Sequence, residues 1–402
     1  PPPAPAEVAP PAASDAGSAA TPAAQPSAAP SMPASSPGNE LSLAMLRALR
    51  AEKGNFFLSG ASVRGALGMA ALGAKGKTLD EMAQALRVEA DPSKNAAAAK
   101  AEASAWRAAA GKAELVIANR LWVEKAFPLE KTFSTQATDG YGASAENVDF
   151  AKAPDPSRQR INKWVSDTTK GKIKDLLPGG SITPLTRVVL TNAVYFKGTW
   201  EEPFKKAATK DEPFQAFSGA VSVPTMHRTG TMDYAANDEV ELVQLPYADS
   251  DLALLVALPR SADKLAAIEG EVSGGEVDAW AKSLASREVA LSLPRFSFSW
   301  GRSVKPELQD LGVKAAFSPE ADFSGVSKAA KDLYVSDVFH KTFVQVDETG
   351  TEAAAATGVV MAVRGLPPRP TVMKVDHPFL FFVRSTKSGE ILFAGRVANP
   401  KS

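Results

Sequence analysis

The sequence of 402 residues contains no cysteine and only three histidines. Without cysteine, the chain can form no disulfide, no thiol nucleophile and no thiolate metal site. The histidines are His227, His340 and His377, and neither an HExxH motif nor a paired spacing brings them together for a metal ion. We therefore expect no metal site and no cofactor, whereas the absence of cysteine leaves the redox compartment open.

The chain also lacks a net charge, because 45 Lys and Arg balance 45 Asp and Glu. A zero balance gives no sign of nucleic acid or an anionic membrane as a partner, although it is compatible with a local basic patch. Apolar runs such as LALLVALP and FLFFV are far shorter than the roughly 18 residues that cross a bilayer, and they are typical of buried strands. We expect neither nucleic-acid binding nor a membrane span.

Motifs that bind nucleotides or activate a nucleophile are incomplete. The GKT at Gly76 lacks the glycine that a phosphate loop needs five positions earlier, where Ala71 stands. The GYGASA segment at Gly140 follows no predicted strand and favours a turn, and the glycines around Ser62 have the wrong spacing for a nucleophile elbow. The sequence therefore predicts a protein that is not an enzyme.

Residues 1–38 differ in composition from the rest, with 11 Pro, 13 Ala and 6 Ser. Such a segment buries too little apolar surface to offset the entropy of ordering, which predicts a disordered tether before a single domain at 39–402. The chain shows neither an initial Met nor a hydrophobic signal core, which suggests a trimmed chain and, as a hypothesis, export or surface attachment. A signal peptide in the full reading frame would support export, and its absence would contradict it.

Periodicity predicts a mixed α/β (α+β) class with largely antiparallel sheets. Helical spacing is clear in LSLAMLRALRAE, SVRGALGMAALGAKGKTLDEMAQALRV and DPSRQRINKWVSDTTKGKIKDLL. Strand patterns dominate the later chain, for example TRVVLTNAVYFKG, VFHKTFVQVDE, HPFLFFVRS and EILFAGRVAN. The last two, joined through TKSG, are typical of a hairpin.

The segment DETGTEAAAATGVVMAVRG, from Asp347 to Gly365, consists mainly of small residues. Alternate residues from Thr351 to Val363 carry no charge, whereas the other set contains Glu352 and Arg364. This alternation suits a strand with one buried face, yet the flanking ETG and GLPP are typical of loops. The segment is thus compatible with both a loop and a strand.

From about Asn39 to Pro400 the sequence resembles the serpins, the loop-inserting protease inhibitors. ETGTEAAAAT resembles the hinge of inhibitory members. Four further segments match in the order that the family has them: NFFLSGASV at 55–63, INKWVSDTTKGKIKDLL at 161–177, LTNAVYFKGTWEEPF at 190–204 and HPFLFFVRSTKSGEILFAGRVANP at 377–400.

The resemblance implies a serpin fold with three β-sheets, eight or nine helices and an exposed reactive-centre loop at about 348–370. It implies a suicide inhibitor of trypsin-like serine proteases: the cleaved loop inserts into the main sheet and traps a covalent acyl complex. A monomer outside the cell, on its surface or in the periplasm is expected. The alternative is a non-inhibitory serpin, a binding or chaperone-like module, although such members have charged or proline-containing hinges.

The resemblance also implies the residues of the loop. Its hinge corresponds to Glu348, Gly350, Thr351, Glu352, Ala353, Ala354, Ala355 and Ala356. The scissile bond lies after the seventeenth residue counted from the hinge glutamate, which is Arg364, so the reactive bond is Arg364–Gly365. Arginine fits a protease pocket with a carboxylate at its base; the alternative is that Arg364 is an ordinary solubilising charge.

A cluster over which the main sheet opens corresponds, by motif, to Ser59, Ser62, Asn192 and His340, and Trp200 corresponds to the aromatic residue beneath the point where the hinge inserts. Each has an ordinary alternative, as a hydrogen-bonded core polar group or a core tryptophan. One departure from the family is Gly60, where a proline is frequent. Because glycine is conformationally freer than proline, the sequence does not determine how rigid the backbone is at Gly60.

Overall fold

The structure is a computed structural model that describes residues 1–3, 36–142, 144–329, 333–351 and 369–401. Its helices are α1 Pro37–Ala48, α2 Gly60–Ala71, α3 Gly76–Leu86, α4 Pro92–Ala110, α5 Lys131–Tyr141, α6 Pro154–Thr168, α7 Leu265–Glu271, α8 Gly274–Ser283 and α9 Lys305–Asp310. Within the described ranges, each helix is too short or too polar to span a membrane.

The strands of the described residues fall into two hydrogen-bonded sheets. They are β1 Phe56–Leu58, β2 Glu114–Glu124, β3 Ala145–Val148, β4 Val188–Thr199, β5 Lys210–Ala216, β6 Gly219–Ala236, β7 Val240–Pro246, β8 Leu252–Pro259, β9 Ala285–Pro294, β10 Phe296–Ser303, β11 Val335–Asp347, β12 Gly350–Thr351, β13 Thr371–Lys374, β14 Phe379–Ser385 and β15 Ile391–Val397. The α+β class is confirmed.

The larger sheet runs β1-β15-β14-β8-β7-β6-β9-β13, with β5 paired to β6. The long β6 pairs with β5 and β9 along its length and with β7 at its end. This shared strand joins two of the three expected sheets into one. The predicted hairpin near the C-terminus is present as β14 and β15, which pair antiparallel.

The smaller sheet runs β10-β11-β12-β4-β2-β3 and contains the site. At its centre, β11 and β4 are parallel neighbours, from Val335 opposite Val188 to Phe343 opposite Tyr195. We call this boundary between β4 and β11 the seam. One face of the sheet packs on the main core, and residues of α6 and the segment after it form a second apolar cluster on the other. Coverage on both faces explains why β4 is almost continuously buried.

Helix α2 lies in the core, and most of its residues are buried. Ser59 caps its N-terminus by accepting a hydrogen bond from the amide of Ser62 at 3.2 Å. At Gly60, the first residue of the helix, a Cβ would lie 2.4 Å from the backbone N and Cα of Ser42 in α1. Any side chain here, proline included, would displace α1, which gives a physical reason for glycine at this corner.

Replacing Gly60 by alanine is expected to lower the free energy of unfolding by about 1–3 kcal/mol. The cost of displacing the backbone of α1 outweighs the gain in helix propensity, which is at most about 1 kcal/mol. Urea unfolding would measure the change. Gly54→Ala is the matched control because a Cβ at Gly54 meets nothing within 4 Å. Equal unfolding midpoints for the two variants would contradict the close approach of α1.

Candidate functional site

A short inserted strand already lies between the C-terminal ends of β4 and β11, which form one end of the seam. Gly350 and Thr351 form β12, in which Thr351 pairs with Val346 of β11 and Gly198 of β4. Gly350 has a φ of +153°, and a Cβ there would lie 2.0 Å from the carbonyl oxygen of Gly198. Only glycine fits this position, so the start of the hinge is fixed by both backbone conformation and space.

Two stacked aromatic rings lie beneath β12. Trp200 and Tyr247 stack with ring centroids 4.7 Å apart. Trp200 Nε1 donates to the carbonyl of Asp347 at 2.9 Å, and the Tyr247 hydroxyl shares a hydrogen bond of 2.7 Å with the Thr351 hydroxyl. Burial raises the pKa of Tyr247, so its phenol stays neutral. The ring pair thus contacts both the last residue of β11 and the first inward side chain of the hinge.

The hinge glutamate, Glu348, is only 4% exposed and is held by the body of the protein. Its Oε1 accepts from the Thr209 hydroxyl at 2.7 Å, and its Oε2 lies 3.6 Å from Arg295 Nε. Its backbone carbonyl accepts from the amide of Phe204 at 2.8 Å. Two segments therefore anchor the turn between β11 and β12: the connection from β4 to β5, which contains Phe204 and Thr209, and Arg295 between β9 and β10.

The polar residues predicted for sheet opening lie together at the middle of the seam. Asn192 and His340 are opposite each other in the parallel pairing. Asn192 Nδ2 donates to the Ser62 hydroxyl at 2.5 Å, and the Ser59 amide donates to His340 Nε2 at 3.0 Å. The first turn of α2 thus bridges the seam, since it binds β4 through Ser62 and β11 through Ser59.

The proton of His340 is on Nδ1, because Nε2 accepts a hydrogen bond. The ring is completely buried, and the edge of Trp300 lies against it with centroids 5.9 Å apart. Burial lowers the pKa of His340 to about 3, against a weaker opposing effect of the Asn192 backbone. The imidazole is therefore neutral in the folded protein at neutral and mildly acidic pH.

Acidification is expected to destabilise the closed seam through His340. Between pH 6.5 and pH 3 the unfolded state binds a proton on this histidine and the folded state does not, so stability falls as the pH falls. From pH 7 to pH 5 the loss is about 2 kcal/mol. Unfolding by urea at both values would measure it. In His340→Gln the same pH step should cost about 2 kcal/mol less, and an unchanged pH dependence would contradict the assignment.

Sequence reasoning missed two partners in these clusters. Tyr247 contacts Thr351 from 104 positions away, and Asn119 accepts a hydrogen bond from Asn192 across 73 positions. Neither has a local sequence signal. The other predicted loop residues lie outside the described part of the chain: Glu352, Ala353, Ala354, Ala355, Ala356, Arg364 and Gly365.

Known proteins are similar to this chain in sequence and in fold. The family model described as serpin (serine protease inhibitor) matches residues 37–400. The leukocyte elastase inhibitor of Bos taurus is 38% identical over 362 residues, which cover 86% of this chain and 93% of that protein.

Solved structures agree. The specific serpin Serpin48 of the insect Tenebrio molitor has a TM-score of 0.79 and 32% identity, and the match covers 90% of this chain and 96% of that one. Human thyroxine-binding globulin, solved in a complex with thyroxine, has a TM-score of 0.81 and 26% identity, and the match covers 91% of this chain and 98% of that chain.

Proposed function

The chain belongs to the serpin family, and on that premise we propose that it is a suicide inhibitor of trypsin-like serine proteases. A protease attacks the carbonyl carbon of Arg364 and forms an acyl-enzyme, with the new N-terminus at Gly365. The freed segment from Thr351 then enters the seam before water releases the protease. Inhibition is a race between insertion and hydrolysis, and no group of the inhibitor acts as a catalyst.

The observation that supports this proposal most is the position of β12. Gly350 and Thr351 already pair with β11 and β4, so further insertion would continue an existing strand. Thr351 is 2% exposed, and the following members of its alternating set, Ala353 and Ala355, are small enough for the same buried face. The hinge thus meets the steric requirement for rapid insertion.

Relatives named as inhibitors of elastase and as a specific serpin support inhibition as the general activity. The choice of a trypsin-like target rests on Arg364 alone. We further propose that the protein is a monomer that works outside the cell, on its surface or in the periplasm, where the tether at 1–38 would separate the domain from an attachment point.

The test is to mix the protein with trypsin and run a denaturing gel. A band at the summed mass that survives boiling in detergent is expected, and mass spectrometry of the released C-terminal peptide should show that it begins at Gly365. A peptide that begins elsewhere would contradict the reactive bond. Complete cleavage without such a band would contradict trapping.

The second candidate is a binding module that does not trap proteases. It is favoured by the similarity to thyroxine-binding globulin, whose fold carries a small ligand. For this candidate, the same experiment should give a cleaved loop and fully active trypsin.

A further inference from the structure

Arg228 lies on β6, and its guanidinium contacts the segment that follows β4. Its Nη1 donates a hydrogen bond to the backbone carbonyl of Glu202, and its Cζ lies 5.3 Å from the centroid of the Phe204 ring. Burial lowers the pKa of Arg228, yet a guanidinium remains charged at physiological pH. One charged group therefore makes both a hydrogen bond and a cation–π contact with the same short segment.

This segment, residues 201–205, forms neither a helix nor a strand, so its position depends on contacts with other parts of the protein. The amide of Glu201 donates to the carbonyl of Pro246 at 2.9 Å, whereas Pro203 has no amide hydrogen to donate. Arg228 contacts the residues on either side of that proline. It thus holds the middle of the segment, where the backbone itself offers one donor fewer.

The same stretch of chain binds the hinge turn twice. The amide of Trp200 donates to the carbonyl of Thr349 at 2.9 Å, and the amide of Phe204 donates to the carbonyl of Glu348 at 2.8 Å. These two carbonyls belong to the turn that immediately precedes β12. The pairing of β12 with β4 and β11 therefore depends on a turn that Arg228 supports through Phe204.

On β6, Arg228 also belongs to the part of the larger sheet where the loop ends. It lies opposite Leu291 of β9, and Leu291 lies opposite Met373 of β13. Leu291 and Met373 are buried, and β13 begins at Thr371, directly after the loop at about 348–370. This row gives Arg228 a rigid base, so that one residue joins the strand after the loop to the turn before it.

We propose that Arg228 is a positioning residue for insertion of the cleaved loop. It holds the turn at Glu348 and Thr349 in place, so that β12 is already paired when the protease cuts. A frayed β12 would have to be ordered again before the strand could lengthen, and that ordering costs conformational entropy. Without Arg228, insertion is slower and hydrolysis releases more protease. The effect on trapping rests on the proposed inhibitory function.

The first test is the ratio of cleaved to trapped inhibitor after reaction with trypsin. Arg228→Met keeps the long apolar stem but removes the charge and the donors, and it should raise the ratio about threefold or more. Arg228→Lys should restore most of the original ratio, because an ammonium also donates to the Glu202 carbonyl and lies over the Phe204 ring.

Arg287→Met is the matched control, since it is the same substitution at an exposed position of the neighbouring β9. It should leave the ratio unchanged. A ratio for Arg228→Met that is equal to that of this control, or below it, would overturn the proposal.

A double-mutant cycle tests whether Arg228 acts through the segment. Phe204→Leu removes the aromatic face and retains an apolar side chain and the backbone amide. Residues that act through each other are not additive, so the double variant should raise the ratio by less than the product of the two single effects. Effects that multiply would mean that Arg228 acts elsewhere, and they would overturn the proposal. The urea midpoint of each variant shows that an altered ratio does not reflect lost folding.

Amide hydrogen exchange in the absence of trypsin tests the support of the turn independently of inhibition. In Arg228→Met, peptides that cover residues 200–204 and 346–351 should exchange about tenfold faster, whereas those from β14 and β15 should be unaffected. Unchanged exchange at the turn would overturn the proposal. If the unaltered protein forms no trapped complex, the proposed function fails, and exchange still decides whether Arg228 holds the hinge turn.

Discussion

Thr351→Arg is expected to convert the inhibitor into a substrate. Thr351 is 2% exposed between β11 and β4, and its hydroxyl is bonded to Tyr247. A guanidinium cannot occupy this space without a buried, unpaired charge, which costs several kcal/mol. A barrier to insertion that is higher by about 3 kcal/mol slows it on the order of 100-fold, whereas hydrolysis of the acyl-enzyme is unaffected. Titration of trypsin would therefore show cleaved loop and recovered protease activity.

Thr351→Ser is the matched control, because it keeps the small volume and the hydroxyl that faces Tyr247. It should form the trapped complex with nearly the original stoichiometry. If Thr351→Arg still traps trypsin as efficiently as this control, insertion does not proceed through the buried position that β12 occupies, and the proposed mechanism is wrong.

Arg364→Ala is expected to reduce the rate of complex formation with trypsin by about 10³-fold or more. A protease pocket built to pair with a cationic side chain rejects an analogue that lacks the charge, because its own buried carboxylate is then left unpaired. The rate of loss of trypsin activity at several inhibitor concentrations would measure the change. Inhibition of an elastase-like protease, which prefers small residues, should increase in the same variant.

Arg369→Ala provides the control at the far end of the loop. Arg369 is exposed and is the next basic residue after Arg364. Its replacement should leave trypsin inhibition unchanged. A large effect at Arg369 together with none at Arg364 would mean that the seventeen-residue count from Glu348 does not give the reactive bond.

Local patterns in the sequence predicted the strands of the seam and the burial of Thr351, the first residue of the alternating set. The alternation that starts at Thr351 is a property of an extended backbone, so it can be recognised without knowing what lies opposite. Helical periodicity correctly predicted a helix at α6, but it did not predict where that helix ends. The pattern continues to Leu177, whereas α6 ends at Thr168, and Lys170 and Gly171 then take positive φ values.

The partners of the site were decided by the tertiary structure. Asn119 meets Asn192 because β2 and β4, which are distant in the chain, are paired in the smaller sheet. Tyr247 meets Thr351 because the residue that follows β7 of the larger sheet packs beneath β12. The same holds for Gly60, whose role follows from the approach of α1, and for the long β6, which joins two expected sheets into one. Backbone periodicity depends on neighbouring residues alone. Which residues contact each other depends on how segments distant in the chain pack together. Composition and spacing along the chain do not specify that packing.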